Sequence, residues 1–138
     1  MANSEAALSI DYPSNADERI TAGGLVANLL SGEVRSSMAM PRISTTSVSA
    51  GSVGGLVGSA KAGKITNSFV NGTFTITGSP KAGGLLGTNA GATMSNCYVN
   101  WDGDPSETTF KGVVNTSTAG SITNCYYRSQ DGIESVST

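Results

Sequence analysis

The residues able to do chemistry in this chain are few, and their types already narrow the options. No histidine occurs, which removes the usual imidazole metal ligand and general base and leaves every serine without an activating partner. Two cysteines, Cys97 and Cys125, are too few to build a zinc site alone. The one local concentration of acids is the run Trp101-Asp102-Gly103-Asp104-Pro105-Ser106-Glu107. Three carboxylates so close together can ligate a hard cation such as calcium through oxygen. Asp102 and Asp104 can also meet the ~5–9.5 Å separation of a glycosidase pair, but that chemistry needs a cleft and the sequence offers no second wall. Asp-Gly and Asp-Pro steps are equally the chemistry of a turn. The reading is a loop with no metal, no cofactor and no catalytic residue, in which Trp101, Asp102, Asp104 and Glu107 are candidates for holding a carbohydrate. The glycine-rich run Gly54-Gly55-Leu56-Val57-Gly58 opens no helix that would hold phosphate.

Composition excludes further classes. The formal charge is −2 and the eight Lys and Arg are scattered, so no basic face is available to grip nucleic acid or an anionic membrane. No stretch approaches the ~18 consecutive apolar residues of a membrane span, and Met1-Ala2-Asn3-Ser4-Glu5 lacks the basic and apolar regions of a secretory leader. That leaves either a cytosolic protein or a piece of a larger parent chain. Gly, Ser, Thr and Asn fill 63 of the 138 positions, a mix otherwise typical of flexible linkers. The length suits one domain.

The apolar residues recur too regularly for a linker. Four segments align: Gly24-Leu25-Val26-Ala27, Gly55-Leu56-Val57-Gly58, Gly84-Leu85-Leu86-Gly87 and Gly112-Val113-Val114-Asn115, at spacings of 31, 29 and 28 residues. Ten residues after each glycine stands Val34, Ile65, Met94 or Ile122. Then follow Ser36, Asn67, Asn96 and Asn124; Ser37, Ser68, Cys97 and Cys125; and Met38, Phe69, Tyr98 and Tyr126. No gap interrupts this block in any copy, and the variable lengths fall in the remainder of each repeat, where loops tolerate them.

A repeat of this length indicates a solenoid, a propeller or an array. Short β-branched and aromatic runs bounded by glycine or asparagine give about three strands per repeat, and glycine interrupts every candidate helix. The economical fold is all-β, a short parallel β-helix of about four coils, with equivalent residues stacked at the ~4.8 Å strand spacing. One member of each apolar dipeptide is expected to point inward. The glycines, with Gly24, Gly55, Gly84 and Gly112 as the repeating set, are expected where the chain bends tightly or takes positive φ. Asn67, Asn96 and Asn124 are expected to form turns and to hydrogen-bond along a ladder.

Gly54-Gly55-Leu56-Val57-Gly58 followed by Gly63-Lys64-Ile65-Thr66-Asn67-Ser68-Phe69-Val70-Asn71-Gly72 resembles the GLUG motif, a repeat of large bacterial surface and secreted proteins, including adhesin-like proteins and some immunoglobulin A proteases. The resemblance covers residues 22 to about 128 and is best in the second and third repeats. The first departs at Ala27, Ser36 and Met38, and the fourth at Val113 and Asn115. It implies a right-handed solenoid displayed outside the cell, as a structural or adhesive module with no catalytic site of its own, beside neighbouring domains of a larger parent. Partners would be a host or cell-surface protein or a glycan.

The equivalent Cys97 and Cys125 lie 28 residues apart, one coil removed, where a disulfide is geometrically allowed and where two small side chains in contact would serve equally well. For Met38, Phe69, Tyr98 and Tyr126 two orientations stay open: strict alternation from Ile65 puts Phe69 inside, and a bend at Asn67 puts it outside. Thr73-Phe74-Thr75-Ile76-Thr77 has the form of an ice-binding strand, but the neighbouring repeats do not continue it in register. Residues 1–21 read as an N-terminal cap, 22–128 as the solenoid and 129–138 as a tail with few apolar anchors, prone to fray. Open strand edges at either end invite edge-to-edge self-association.

Overall fold

The computed structural model describes residues 4–6, 9–12, 21–45, 51–76, 80–102, 110–129 and 132–136, with residues 9–12, 129 and 132–136 described in backbone only. The described residues hold no helix, and the strands pair in parallel from one repeat to the next into a β-solenoid. The closed part makes about three turns, fewer than the four expected from counting repeats. The fourth repeat stacks beneath them with one strand on each wall, Phe110–Lys111, Val114–Thr123 and Cys125–Ser129.

Three sheets form the walls. The first stacks Thr21–Gly23, Ser52–Gly54, Lys81–Gly83 and Phe110–Lys111. The second carries the longer run of each coil: Val26–Leu29 with Glu33–Arg35, Val57–Ala60 with Lys64–Thr66, Leu86–Ser95 and Val114–Thr123. The third stacks Met38–Ala39 with Arg42–Thr45, then Phe69–Ile76, Tyr98–Asp102 and Cys125–Ser129. Register is set by the repeated block. Val34, Ile65, Met94 and Ile122 pair in sequence, each 2% exposed or less. Leu25, Leu56, Leu85 and Val113 form a second ladder joined by backbone hydrogen bonds of 2.9–3.0 Å.

In the second and third coils both members of the apolar dipeptide are buried, Leu56 with Val57 and Leu85 with Leu86, rather than one of each. The chain bends at residues 55–56 and 84–85, and a bend breaks the alternation that would send one neighbour out. Phe74 is the largest fully buried side chain among the described residues, its ring centroid 5.1 Å from that of Phe110. Thr73 pairs with Arg42 on one side and Asp102 on the other, so no threonine ladder exists there.

Both ends are covered on the third wall. Glu5–Ala6 pairs with Met38–Ala39, and Ser9–Tyr12 with Arg42–Thr45, so the N-terminal segment lies over the first coil as a cap. At the other end Gly132–Val136 pairs antiparallel with Cys125–Ser129. The tail is thus an added strand rather than a frayed end.

Candidate functional site

Each coil turns from the second wall to the third through one residue in the left-handed region: Ser36 (φ 48°), Asn67 (φ 50°), Asn96 (φ 55°) and Asn124 (φ 50°). Asparagine enters this region more readily than other residues with a side chain. Its sign of φ reverses the in–out alternation. The next residue turns inward, so Ser37, Ser68, Cys97 and Cys125 are all buried. Each donates to the carbonyl two residues back: Ser37 to Arg35 at 2.8 Å, Ser68 to Thr66 at 2.8 Å, Cys97 to Ser95 at 3.3 Å and Cys125 to Thr123 at 3.4 Å.

The residue after that faces out. Met38, Phe69 and Tyr98 are half-buried and Tyr126 is 41% exposed, so the aromatic ladder lies on the surface, not in the core. The Phe69 and Tyr98 rings stack with planes 2° apart and centroids 5.6 Å apart. Asparagine ladders flank them. Asn96 donates to the Oδ1 of Asn67 at 3.1 Å, and Asn124 to that of Asn96 at 3.3 Å; beyond the rings Asn100 donates to Asn71 at 2.8 Å. Asn96, Cys97, Tyr98, Asn124 and Tyr126 line an open depression of about 420 Å³. No charged side chain lines it, so it offers flat aromatic surface and amide groups, the surface on which neutral ligands stack.

The two thiols are free, buried and in contact. A hydrogen bond between them holds Cys125 below the usual thiol range and, together with burial, pushes Cys97 well above it.

Of the acidic run, only Trp101 and Asp102 lie among the described residues. Asp104 and Glu107 lie outside the described residues, and Asp102 is exposed at the end of its strand. Trp101 packs edge-on against Phe110, centroids 5.1 Å apart, as part of the core's margin. Its indole Nε1 is buried with no partner among the described residues. No group of three or more His, Cys, Asp and Glu able to hold a metal gathers among the described residues.

The glycine set acts by close approach. None of Gly24, Gly55, Gly84 and Gly112 has positive φ. A Cβ on Gly55 would strike the Gly84 carbonyl of the next coil and come within 2.7 Å of Val70 Cγ1; one on Gly84 would strike the Gly112 carbonyl and come within 2.7 Å of Val99 Cγ1. At Gly112 the obstacle is the ring of Tyr127. That tyrosine takes the position of Val70 and Val99 in its own coil.

Two residues were not singled out by the sequence. Tyr127 is one. Asn89 is the other: fully buried, it accepts from Gly91 N at 3.2 Å and Ala92 N at 2.8 Å and donates to Ala92 O at 3.0 Å and Ser117 Oγ at 3.4 Å. The available signal was a missing glycine. Gly32, Gly63 and Gly120 take φ of 94°, 104° and 93° at the corner where the third coil has Ala92, and there the Asn89 amide clamps the chain instead.

The molecule is therefore a β-solenoid repeat with a surface strip of stacked rings and amides. The family model of the GLUG motif matches residues 49–77, which hold the second coil. The chain carries this motif, and the fifteen-residue block within it recurs in the three other repeats. No curated protein and no solved structure matches the chain.

Proposed function

We propose that the chain is a non-catalytic adhesive and display module of a bacterial cell-surface or secreted protein, and that it binds through the strip of Phe69, Tyr98 and Tyr126. One observation carries this reading: three in-register aromatic rings are held outward and flanked by asparagine amides, where a solenoid serving only as a spacer would gain more by burying them. Exposed rings bind by stacking and amides by hydrogen bonding, which suits a glycan or a polar protein surface. The GLUG repeat supports a modular role, and the uncharged lining argues for a neutral partner.

The test is a glycan array and a cell-binding assay with the intact chain beside Tyr98→Ala and Tyr126→Ala. Binding lost in both variants at an unchanged melting temperature supports the strip. Binding that survives both but is lost in Trp101→Ala, with the fold intact, moves the site to the Trp101–Glu107 loop and favours a carbohydrate-binding β-helix instead. Turnover of any glycan by the chain overturns the non-catalytic reading.

A further inference from the structure

Serine is the better residue at the inward position after the left-handed corner. Ser37 accepts a hydrogen bond from Ser4 N at 3.4 Å, and Ser68 accepts one from Ser37 N at 3.3 Å, so each hydroxyl ties its coil to the one before as well as capping its own bend. A thiol is a weaker acceptor. Yet the last two coils carry Cys97 and Cys125 here, in neighbouring turns.

Their placement allows more than contact. Tyr98 pairs with Tyr126 in parallel register, and Tyr126 N donates to Cys97 O at 3.0 Å, so the two cysteines are direct neighbours across the ladder. The ~4.8 Å spacing of adjacent strands falls inside the ~4.4–6.8 Å Cα separation that a disulfide spans. Both side chains point the same way, inward, each onto the carbonyl two residues back.

We infer that Cys97 and Cys125 form an oxidisable pair whose disulfide staples the fourth coil to the third, directly beneath the depression lined by Tyr98 and Tyr126. The oxidant is a disulfide, either oxidised glutathione or the active-site disulfide of a thiol oxidoreductase. One cysteine thiolate attacks the oxidant's S–S bond, forming a mixed disulfide and releasing one thiol. The partner cysteine then loses its proton to solvent and attacks the mixed disulfide, releasing the second thiol. Two S–H groups become one S–S bond, and the oxidant's disulfide is reduced to two thiols. The mutual hydrogen bond that holds Cys125 below the usual thiol range favours the first thiolate.

With both cysteines at 1% exposure or less, the bond forms during folding or when the end coil opens locally, and an end coil opens at the least cost. The bond encloses the whole connection between the two turns, including the segment 103–109. Its effect on stability comes from restricting that connection in the unfolded chain.

The experiment refolds the intact chain in a glutathione redox buffer, then alkylates it under denaturing conditions for mass analysis and peptide mapping. The expected result is a mass lower by two hydrogen atoms, a peptide pair joined through Cys97 and Cys125, and a melting temperature higher by about 5–15 °C that reverts on reduction. Cys97→Ser and Cys125→Ser should melt no lower than the reduced chain and show no gain on oxidation. Full alkylation of both thiols, separate glutathione adducts, a bond between two chains, or an oxidised form melting no higher than the reduced one would each overturn the inference. The mass readout needs no variant, so it decides the matter even if a serine variant fails to fold. It is also independent of whether the strip binds a glycan.

Discussion

The first three coils turn sharply at a glycine pair and the fourth at Gly112, each coil turns again at a left-handed residue, and the two corners demand special residues for opposite reasons. At Gly55 and Gly84 the backbone is ordinary and the space is absent: the carbonyl of the next coil sits where a Cβ would be. At Asn67, Asn96 and Asn124 the surroundings are exposed and the backbone is unusual, with φ of 50–55°. The first corner lets three walls meet around a narrow core. The second flips the chain's polarity and so puts rings on the surface. Close approach tolerates no side chain, whereas a left-handed φ tolerates one at a modest cost.

Substitutions can separate the two kinds of corner. The largest effect is expected for Gly84→Val, which forces a branched side chain against Gly112 O and Val99. A loss of at least ~4 kcal/mol, enough to abolish a cooperative melt, would mark it as a steric corner, and an unchanged melt would break the assignment. Next comes Asn89→Leu, similar in size but unable to satisfy Gly91 N, Ala92 N and Ala92 O; chemical denaturation should show a loss of about 2–4 kcal/mol.

Gly63→Ala and Gly32→Ala form an internal control, since both sit at positive φ but only Gly63 is crowded, by the Gly32 carbonyl. Gly32→Ala should lose about 1 kcal/mol from backbone strain alone, and Gly63→Ala measurably more. Equal losses in urea titrations would mean that crowding at Gly63 is relieved without cost. Smallest should be Asn96→Gly, which keeps the backbone preference but removes the amide ladder. A change within about 1 kcal/mol is expected, while Asn96→Ala should be the worse of the two because it keeps a Cβ at positive φ.

The period, the apolar ladders and the identity of the corner residues were legible in the sequence, because each is repeated and repetition marks equivalent environments. The second coil, matched by the GLUG motif, shows this best: Ile65, Asn67, Ser68 and Phe69 each have a counterpart in the turns on either side. What was not legible was anything that occurs once. Asn89 replaces a glycine corner with a side-chain clamp, and Tyr127 puts a ring where the other coils have Val70 and Val99; neither is announced by its repeat partners. Of the candidate carbohydrate residues, Trp101 proved to be a packing partner of Phe110, which only the distance between two chain segments could reveal.

The sequence by itself determined that this chain is a stack: 28- to 31-residue repeats, glycine and asparagine at fixed places, and Cys97 and Cys125 in neighbouring turns. Periodicity dictates this much, since residues spaced by one turn must share one environment. Only the tertiary structure decided which way that environment faces. A single left-handed φ at Asn67, Asn96 and Asn124 turns Ser68, Cys97 and Cys125 inward and Phe69, Tyr98 and Tyr126 outward, and the sign of φ belongs to the folded backbone rather than to any pattern of polar and apolar letters.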